Sequence, residues 1–255
     1  MVRQAVIAGG GIGSRLSRGV NTLRSKQLIE YRGKTMIEHL IDGLKEGGVS
    51  EYLIGTAEHS HERINEIVRR LGIDVVCKVH KGAKFEMVPD HFSCDLDDRF
   101  LFVCGHQPIS SEFVSESRVA MRNAQYVIAK YQNEAYPHKK DRENYIYSGD
   151  EVRIVEFGQN IDENNFLYLR NPYILDKDVV RECCKGGYVQ SFGRLLVESS
   201  KRDRRSLATI EANFPPEFDY DDEYDRTKKY LDQKANEVSI PLMVFSSLGS
   251  SAVEE

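Results

Sequence analysis

The sequence predicts a three-layer α/β fold, in which helices cover both faces of a mixed, mostly parallel sheet. Two observations predict it. Short apolar runs that end in glycine alternate, through the first half of the chain, with stretches whose apolar residues recur every three to four positions. This rhythm is typical of right-handed βαβ units around a parallel sheet. With 255 residues, the chain is long enough for one large domain with a substantial core.

The first strand and the first helix have clear patterns. Residues 5–8 are apolar and are followed at once by glycines, as expected of a buried parallel strand that enters a loop. Residues 36–45 place their apolar side chains at positions 36, 37, 40, 41 and 44, the stripe of an amphipathic helix. The glycines at 47 and 48 are expected to end that helix.

The next segments continue the alternation. Residues 52–54 and 73–76 are predicted strands, and the helix between them is predicted over residues 62–71. Residues 99–104 form the most hydrophobic strand of the chain. Because ligands of such sheets bind at the carboxyl ends of the strands, the glycines that follow the first strand and this one are expected to face one crevice.

The pattern changes after about Ala124. Residues 130–200 are richer in tyrosine, asparagine and charge, with short extended runs at 152–157 and 166–169. We interpret this region as an insertion or subdomain that shapes a binding site or an oligomer contact. Residues 1–245 are therefore expected to form a single domain, and the small, polar residues 246–255 a disordered tail.

Composition excludes several classes of function. The net charge is -5 and the pI is about 5.9, so the chain as a whole offers no basic field for nucleic acid. No stretch approaches the roughly 20 apolar residues of a membrane span, and the N-terminus lacks the pattern of a signal peptide. The cysteines are odd in number and lack CxxC spacing. We expect a cytoplasmic protein with reduced thiols and neither nucleic-acid nor membrane partners.

The strongest local signal is the glycine-rich segment at residues 7–16. Its glycines allow the backbone to approach a pyrophosphate, successive N–H groups can surround anionic oxygens, and Arg15 adds a fork-shaped cation. Two common phosphate motifs are excluded. The dinucleotide fingerprint G-x-G-x-x-G needs a third glycine three residues after the second, but Ser14 follows Gly11 at that distance and Leu16 follows Gly13. A P-loop that ends at Gly33-Lys34-Thr35 would need its first glycine at position 28, which is Leu28.

A longer pattern is more specific. The sequence G-I-G-S-R-L at 11–16 is followed by S-K-Q-L at 25–28 and by G-K-T-M-I-E-H at 33–39. It resembles the nucleotidyltransferase superfamily that has the Rossmann-like, nucleotide-diphospho-sugar transferase fold. The second and third segments are especially similar to cytidylyltransferases of the methylerythritol-phosphate type. The resemblance covers roughly residues 5–55.

The resemblance implies transfer of a nucleotidyl group from an NTP, with CTP the first candidate, to a small phosphorylated acceptor, and release of pyrophosphate. The acceptor would be a sugar phosphate, a polyol phosphate or a phosphonate. Arg15 would oppose charge on the departing pyrophosphate and Lys26 would neutralise the α-phosphate, as phosphoryl-type transfer requires. The expected nucleotide-binding residues are Ala8, Gly9, Gly10, Gly11, Gly13, Ser14, Arg15, Lys26, Gly82 and Gly105.

The end of the central strand departs from the family pattern. The family has G-D-x-P there, with the aspartate on Mg²⁺, and this chain has Gly-His-Gln-Pro at 105–108. A neutral histidine is a poor ligand for Mg²⁺. We expect His106 and Gln107 to contact the acceptor. Binding of a different divalent ion, lost activity, or an ordinary structural role for His106 remain alternatives.

A second candidate metal site lies late in the chain. Residues 219–226 read D-Y-D-D-E-Y-D-R, which resembles the D-x-D-T-P-E-D segment of many family members. Asp221 takes the position of a carboxylate that binds Mg²⁺ or another divalent cation, and Asp219 is close enough to substitute. An acidic helix start exposed to water, favoured by the helix dipole, explains the same residues equally well.

Two other functions remain open. A nucleotide-binding protein without transferase activity is suggested by His106. A glycosyltransferase that uses a nucleotide sugar ranks lower, because no D-x-D motif follows residues 100–104. A homodimer is possible with any of these functions.

Overall fold

One mixed sheet forms the centre of the computed structural model. In chain order the strands are β1 Gln4–Gly9, β2 Glu30–Tyr31, β3 Lys34–Thr35, β4 Glu51–Thr56, β5 Val75–Val79, β6 Arg99–Cys104, β7 Tyr126–Tyr131, β8 Asn144–Ser148, β9 Glu151–Val155, β10 Leu167–Asp176 and β11 Leu207–Glu211. The helices are α1 Met36–Glu46, α2 Glu58–Leu71, α3 Ser111–Ala120, α4 Lys177–Cys183, α5 Phe192–Arg202 and α6 Asp221–Val238. The structure describes residues 2–10, 25–80, 85–132, 144–148, 151–155, 167–185, 191–202, 206–218 and 220–238.

The main path of the sheet has seven strands in the order β11-β7-β10-β6-β1-β4-β5. The pairs β1–β4, β4–β5, β1–β6 and β7–β11 are parallel, and only β10 runs antiparallel to its neighbours β6 and β7. This arrangement confirms the predicted α/β fold with a mixed, mostly parallel sheet.

The position of β10 was not evident from the sequence. This strand lies between β6 and β7, with Tyr173 opposite Phe102 on one side and Ile128 on the other. The hairpin of β8 and β9 extends outwards from it, since β8 pairs with β10 and β9 with β8. The region interpreted as an insertion thus contributes a central strand to the main sheet.

Helices cover both faces of the sheet, as predicted. On one face, α1, α2 and α3 bury side chains such as Leu40, Ile64 and Phe113 in a core cluster with β1 and β4. On the other face, α4 and α5 bury Val180 and Leu196 together with a short 3₁₀ segment, Pro89–Phe92. Each helix has an apolar stripe, and burial of this stripe against the sheet removes apolar surface from water and so stabilises the helix.

A third, smaller cluster holds the last helix against the first. Met36 at the start of α1 packs with Phe218 and with Leu231 of α6, and all three are buried. Among the described helices, none is long and apolar enough to cross a membrane.

Several element boundaries differ from the sequence prediction, among them those of one strand and one helix. The strand predicted at residues 73–76 is β5, Val75–Val79, and the helix predicted from residue 62 begins at Glu58. Gly72 ends α2 in the left-handed conformation, with φ of 60°. Asp74 then leads into the sheet, where its carbonyl accepts a hydrogen bond from the Tyr52 N–H.

Candidate active site

The carboxyl ends of four parallel strands meet at one edge of the sheet, which we call the carboxyl edge. Gly9 lies opposite Thr56, Thr56 opposite Val79, and Ala8 opposite Cys104. The segments that leave these strands therefore start side by side. In open α/β sheets, this is the edge at which ligands bind.

Gly105 permits a close approach at the centre of this edge. Its N–H donates a 2.8 Å hydrogen bond to the Ala8 carbonyl. A Cβ atom at this position would lie 3.0 Å from that same oxygen and 2.9 Å from Gln27 Cγ. A side chain at residue 105 would therefore crowd the end of β1 and Gln27, which belongs to the 3₁₀ helix Lys26–Leu28.

Lys26 is held at this edge as a buried cation. Its residue is 4% exposed, and Nζ donates a 2.9 Å hydrogen bond to the carbonyl oxygen of Phe218. Nζ also lies 5.9 Å from the centre of the Phe218 ring. A cation that is fixed at the edge where ligands bind suits an anionic group such as a phosphate.

His106 contacts the same aromatic residue. Its ring meets the Phe218 ring edge to face, with 5.0 Å between centres, and its Nδ1 lies 3.3 Å from the Cys104 thiol. His106 is only 5% exposed. Phe218 thus lies between the lysine that follows the glycine-rich segment and the histidine that follows β6.

The side chains at the end of β6 do not fit a magnesium site. The end of β6 offers an imidazole and a thiol, whereas Mg²⁺ prefers oxygen ligands in octahedral geometry. Within the described ranges, no group of three or more histidine, cysteine, aspartate or glutamate residues is arranged to hold a metal ion. Asp221 is the half-buried first residue of α6, and Asp219 lies outside the described residues.

Gln107 lies in the core rather than at an open surface. It is fully buried, and its Nε2 donates to the Tyr131 hydroxyl at 2.8 Å and to the Asn171 carbonyl at 3.4 Å. These bonds connect the end of β6 to β7 and β10. These bonds give Gln107 a structural role, and its predicted contact with the acceptor stays a prediction.

Several buried polar atoms near the carboxyl edge lack a hydrogen-bond partner in the described part of the chain. They include Gln27 Nε2, both ring nitrogens of His80, Gln107 Oε1 and Asn171 Oδ1. Such atoms are uncommon in folded proteins and each costs roughly 1–3 kcal/mol.

The motif at residues 33–39 positions α1. Arg32 and Gly33 both have positive φ and form the turn between β2 and β3. Thr35 donates both its N–H and its hydroxyl to Glu38 Oε2, and His39 Nε2 lies 2.9 Å from the Tyr31 carbonyl. Burial lowers the pKa of His39. These residues therefore stabilise the hairpin and the helix start next to Lys26.

The structure brings some of the predicted site residues together and leaves others undescribed. The residues gathered at the carboxyl edge are Ala8, Gly9, Gly10, Lys26, Gly105 and His106. Gly11, Gly13, Ser14, Arg15, Gly82 and Asp219 lie outside the described residues, so their roles stay predictions.

The sequence pattern did not indicate Phe218, whereas His80 begins the segment 80–84 that follows the third predicted strand, where similar proteins contact the base or the acceptor. The only signal for Phe218 was an apolar residue directly before the acidic run at 219–226. For His80 the signal was its position directly after a predicted strand at the same edge.

Solved structures share this fold. The inositol-1-phosphate CTP transferase from T. maritima has a TM-score of 0.68 at 15% identity, covering 90% of this chain and 96% of its own. The 4-diphosphocytidyl-2C-methyl-D-erythritol synthase from Anaerococcus prevotii has a TM-score of 0.62 at 17% identity, covering 90% and 95%. A Bacillus anthracis protein assigned as a glucose-1-phosphate thymidylyltransferase has a TM-score of 0.73 at 13% identity, covering 89% and 94%.

The family assignment rests on the sequence. Among curated protein sequences, none matches this chain. Residues 5–182, more than half of the chain, match the family described as the MobA-like NTP transferase domain. That span includes the glycine-rich segment, Lys26 and the end of β6. The chain therefore belongs to the MobA-like NTP transferase domain family and is an NTP-utilising nucleotidyltransferase.

Proposed function

We propose that this enzyme transfers a nucleoside monophosphate from an NTP, with CTP the first candidate, to a small phosphorylated acceptor. An oxygen of the acceptor's phosphate or phosphonate attacks the α-phosphorus of the NTP and forms a new P–O bond. The bond between the α-phosphorus and the oxygen that bridges to the β-phosphorus breaks, and pyrophosphate leaves. The products are a nucleotide-diphospho compound, or its phosphonate counterpart, and pyrophosphate.

The observation that carries this proposal is the position of Lys26. Its ammonium group is buried beside the ends of β1 and β6 and is fixed by the Phe218 carbonyl. A cation that is already in place when charge develops lowers the barrier without reorganisation. In this proposal Lys26 neutralises the α-phosphate during attack, and Arg15 stabilises the pyrophosphate that leaves.

The choice of CTP has two supports. It rests on the resemblance at residues 25–39 and on two similar structures, one named as a CTP transferase and one as a diphosphocytidyl compound synthase. The acceptors we propose are a sugar phosphate, a polyol phosphate or a phosphonate. The inositol phosphate in the name of the T. maritima protein favours a polyol phosphate among them.

All five cysteines are free thiols, which agrees with a reducing cytoplasm. We propose one domain over residues 1–245, in which the region 130–200 shapes the acceptor site or a homodimer contact. A divalent cation such as Mg²⁺ would be held by Asp221, for which Asp219 is close enough to substitute, or by the NTP phosphates alone.

One observation favours a second function. The buried imidazole and thiol at the end of β6 replace the carboxylate that the family pattern has there. A nucleotide-binding protein without transfer activity would tolerate that change. It would bind an NTP without needing a divalent cation and would release no pyrophosphate.

Pyrophosphate release separates the two functions. Each of the four NTPs is incubated with Mg²⁺ or Mn²⁺ and with a panel of sugar 1-phosphates, polyol phosphates and phosphonates. Release with one NTP and one acceptor supports the transferase and names its substrates. If no pyrophosphate is released with any combination and calorimetry still detects NTP binding, the result supports the nucleotide-binding protein.

A further inference from the structure

A cavity of about 490 Å³ lies at the opposite edge of the sheet, where β1 and β6 begin. We call it the amino-edge pocket. It is lined by Val2, just before β1, by Arg99, the first residue of β6, and by the end of α3 with the turn that follows. The six residues of β6 span roughly 20 Å, so the pocket is well separated from the candidate active site. Cavities of this size accommodate small molecules.

The charged side chains of the amino-edge pocket all have the same sign. They are Arg99, Arg118 and Arg122, and the described residues that line the pocket include no carboxylate. Guanidinium groups stay protonated, so three positive charges surround this cavity although the whole chain has a net charge of -5. Like charges around one cavity repel one another, and a bound anion would replace this repulsion with attraction. The charge of the pocket therefore selects an anionic ligand.

The guanidinium group of Arg118 is already fixed in place. Its Nε and Nη2 donate to the Val2 carbonyl at 3.0 and 2.9 Å, and Nη2 also donates to the Gly48 carbonyl at 2.7 Å. A guanidinium group has five N–H donors, and the two on Nη1 take no part in these bonds. A cation that the fold already orients loses little conformational entropy when a ligand binds.

The other two arginines have no carboxylate partner. Arg99 Nη1 reaches only the Met121 carbonyl, at 3.5 Å, and the exposed side chain of Arg122 forms no hydrogen bond or ion pair with the described residues. Asp176 lies opposite Arg99 in the sheet, but its carboxylate caps α4 and accepts a hydrogen bond from Gln125. Both guanidinium groups are therefore available to a ligand.

The amino-edge pocket also has an apolar part. Val119 is 58% exposed, and it lines the pocket together with Val2 and Met121. Ligand pockets commonly combine apolar walls with a few charged groups that fix the orientation of the ligand. Guanidinium planes also stack on aromatic rings. An apolar or aromatic group attached to the anion would therefore find a complementary surface here.

We propose that the amino-edge pocket is a second ligand site, which binds a small phosphorylated molecule. The phosphate lies among the three arginines, and the apolar or aromatic part of the molecule covers Val119. A phosphate monoester has three terminal oxygens that accept hydrogen bonds, whereas a carboxylate has two, so three guanidinium groups match a phosphate better. The site is separate from the carboxyl edge, and the inference does not depend on the proposed transfer reaction.

Phenyl phosphate is a suitable probe, because it combines a phosphate with an aromatic ring and has no nucleoside. Calorimetry compares the wild type with Lys26→Ala, in which phosphate binding at the carboxyl edge is weakened. We expect both proteins to bind phenyl phosphate. Arg99→Gln and Arg122→Gln, each added to Lys26→Ala, are expected to weaken this binding about tenfold, because each removes charge-assisted hydrogen bonds. Arg118 is left unchanged, since it also holds Val2 and Gly48.

Arg63→Gln is the matched control, also added to Lys26→Ala. Arg63 is an exposed arginine on α2 that pairs with Glu66, so its substitution makes the same change in net charge away from the pocket. Its affinity for phenyl phosphate should stay within about twofold of that of Lys26→Ala. Benzoate, which carries a carboxylate on the same ring, is expected to bind about tenfold more weakly than phenyl phosphate.

Four results would overturn the inference. Binding of phenyl phosphate by neither protein, or by the wild type alone, leaves no phosphate at the amino-edge pocket. Unchanged affinity in both Arg99→Gln and Arg122→Gln removes the arginines from the site. An equal loss in Arg63→Gln assigns the effect to net charge, and equal binding of benzoate contradicts the preference for phosphate. None of these measurements uses an NTP, so the proposed function stands or fails separately, on pyrophosphate release.

Discussion

The main-chain oxygen of Phe218 accepts a 2.9 Å hydrogen bond from Lys26 Nζ, although the two residues are 192 positions apart in the sequence. Phe218 directly precedes Asp219, and α6 begins at Asp221, three residues after Phe218. The candidate catalytic lysine is thus oriented by the segment that leads into the last helix. The site is assembled from distant parts of the chain, and its geometry depends on how Phe218 packs against Met36 and Leu231.

Lys26→Ala is expected to remove catalysis while the protein stays folded. The loss of a fixed cation should lower kcat by about 10²–10³-fold or more, because the charge acts in the transition state. The Phe218 carbonyl would lose its partner, at a cost of about 1–3 kcal/mol in unfolding free energy. Pyrophosphate release and thermal unfolding measure the two effects.

Lys34→Ala is the control for this experiment. Lys34 belongs to the same segment of the chain, but it is exposed and pairs with Asp42 at 2.6 Å. Its removal should change turnover little, because an exposed ion pair contributes at most about 1 kcal/mol. If Lys26→Ala turned over at a rate similar to Lys34→Ala, the catalytic role of Lys26 would be wrong.

Gln107→Leu is expected to reduce stability rather than acceptor binding. The substitution removes the amide that donates to the Tyr131 hydroxyl and leaves that buried hydroxyl with fewer partners. We expect the free energy of unfolding to fall by about 1–3 kcal/mol and KM for the acceptor to stay within a few-fold. Gln132→Leu, at an exposed glutamine that bonds Glu211, is the control for stability. A large rise in acceptor KM without a loss of stability would restore the predicted binding role.

Local sequence patterns predicted much of the part of the sheet that the first half of the chain forms. The strands β1, β4 and β6 and the helix α1 follow from runs and stripes of apolar residues, and the glycines that end β1 and follow β6 meet as expected. These features are local, so a single sequence contains them. The match to Lys26 came from a motif in the same part of the chain.

Non-local pairing explains what the sequence did not predict. β10 lies between β6 and β7 although it is separated in the sequence from both, and nothing in the pattern of residues 167–176 names its partners. The contact of Phe218 with Lys26 and His106 likewise depends on how α6 packs. Hydrophobic periodicity identifies a buried face but not the element that covers it.

The start of α1 should make stability depend on pH. Burial would raise the pKa of the Glu38 carboxyl, but hydrogen bonds from Thr35 and the Arg70 guanidinium outweigh this effect and the pKa is lowered. A carboxyl with a lowered pKa stabilises the fold above its unfolded pKa, about 4.3, and loses this contribution as the pH falls through its folded pKa.

Glu38→Gln is therefore expected to lower the unfolding free energy by about 1–2 kcal/mol at pH 7, and the difference from the wild type should shrink between pH 4 and pH 3. Urea unfolding across this range measures it. Glu66→Gln is the control, since Glu66 forms an exposed pair with Arg63 and should matter little at any pH. A difference for Glu38→Gln that stays constant down to pH 3 would contradict the assignment.

His106→Asp tests whether the histidine has its own task at the end of β6. The change restores the family's carboxylate, but it removes the ring that packs on Phe218 and places a charge beside the buried Cys104 thiol. Because an unpaired buried carboxylate is costly, we expect a loss of about 1–3 kcal/mol in stability and a loss of pyrophosphate release. His59→Asp, at an exposed histidine on α2, controls for the change in net charge. A gain of Mg²⁺-stimulated release in His106→Asp would show instead that the site accepts the common carboxylate chemistry and that the histidine is a replacement without its own function.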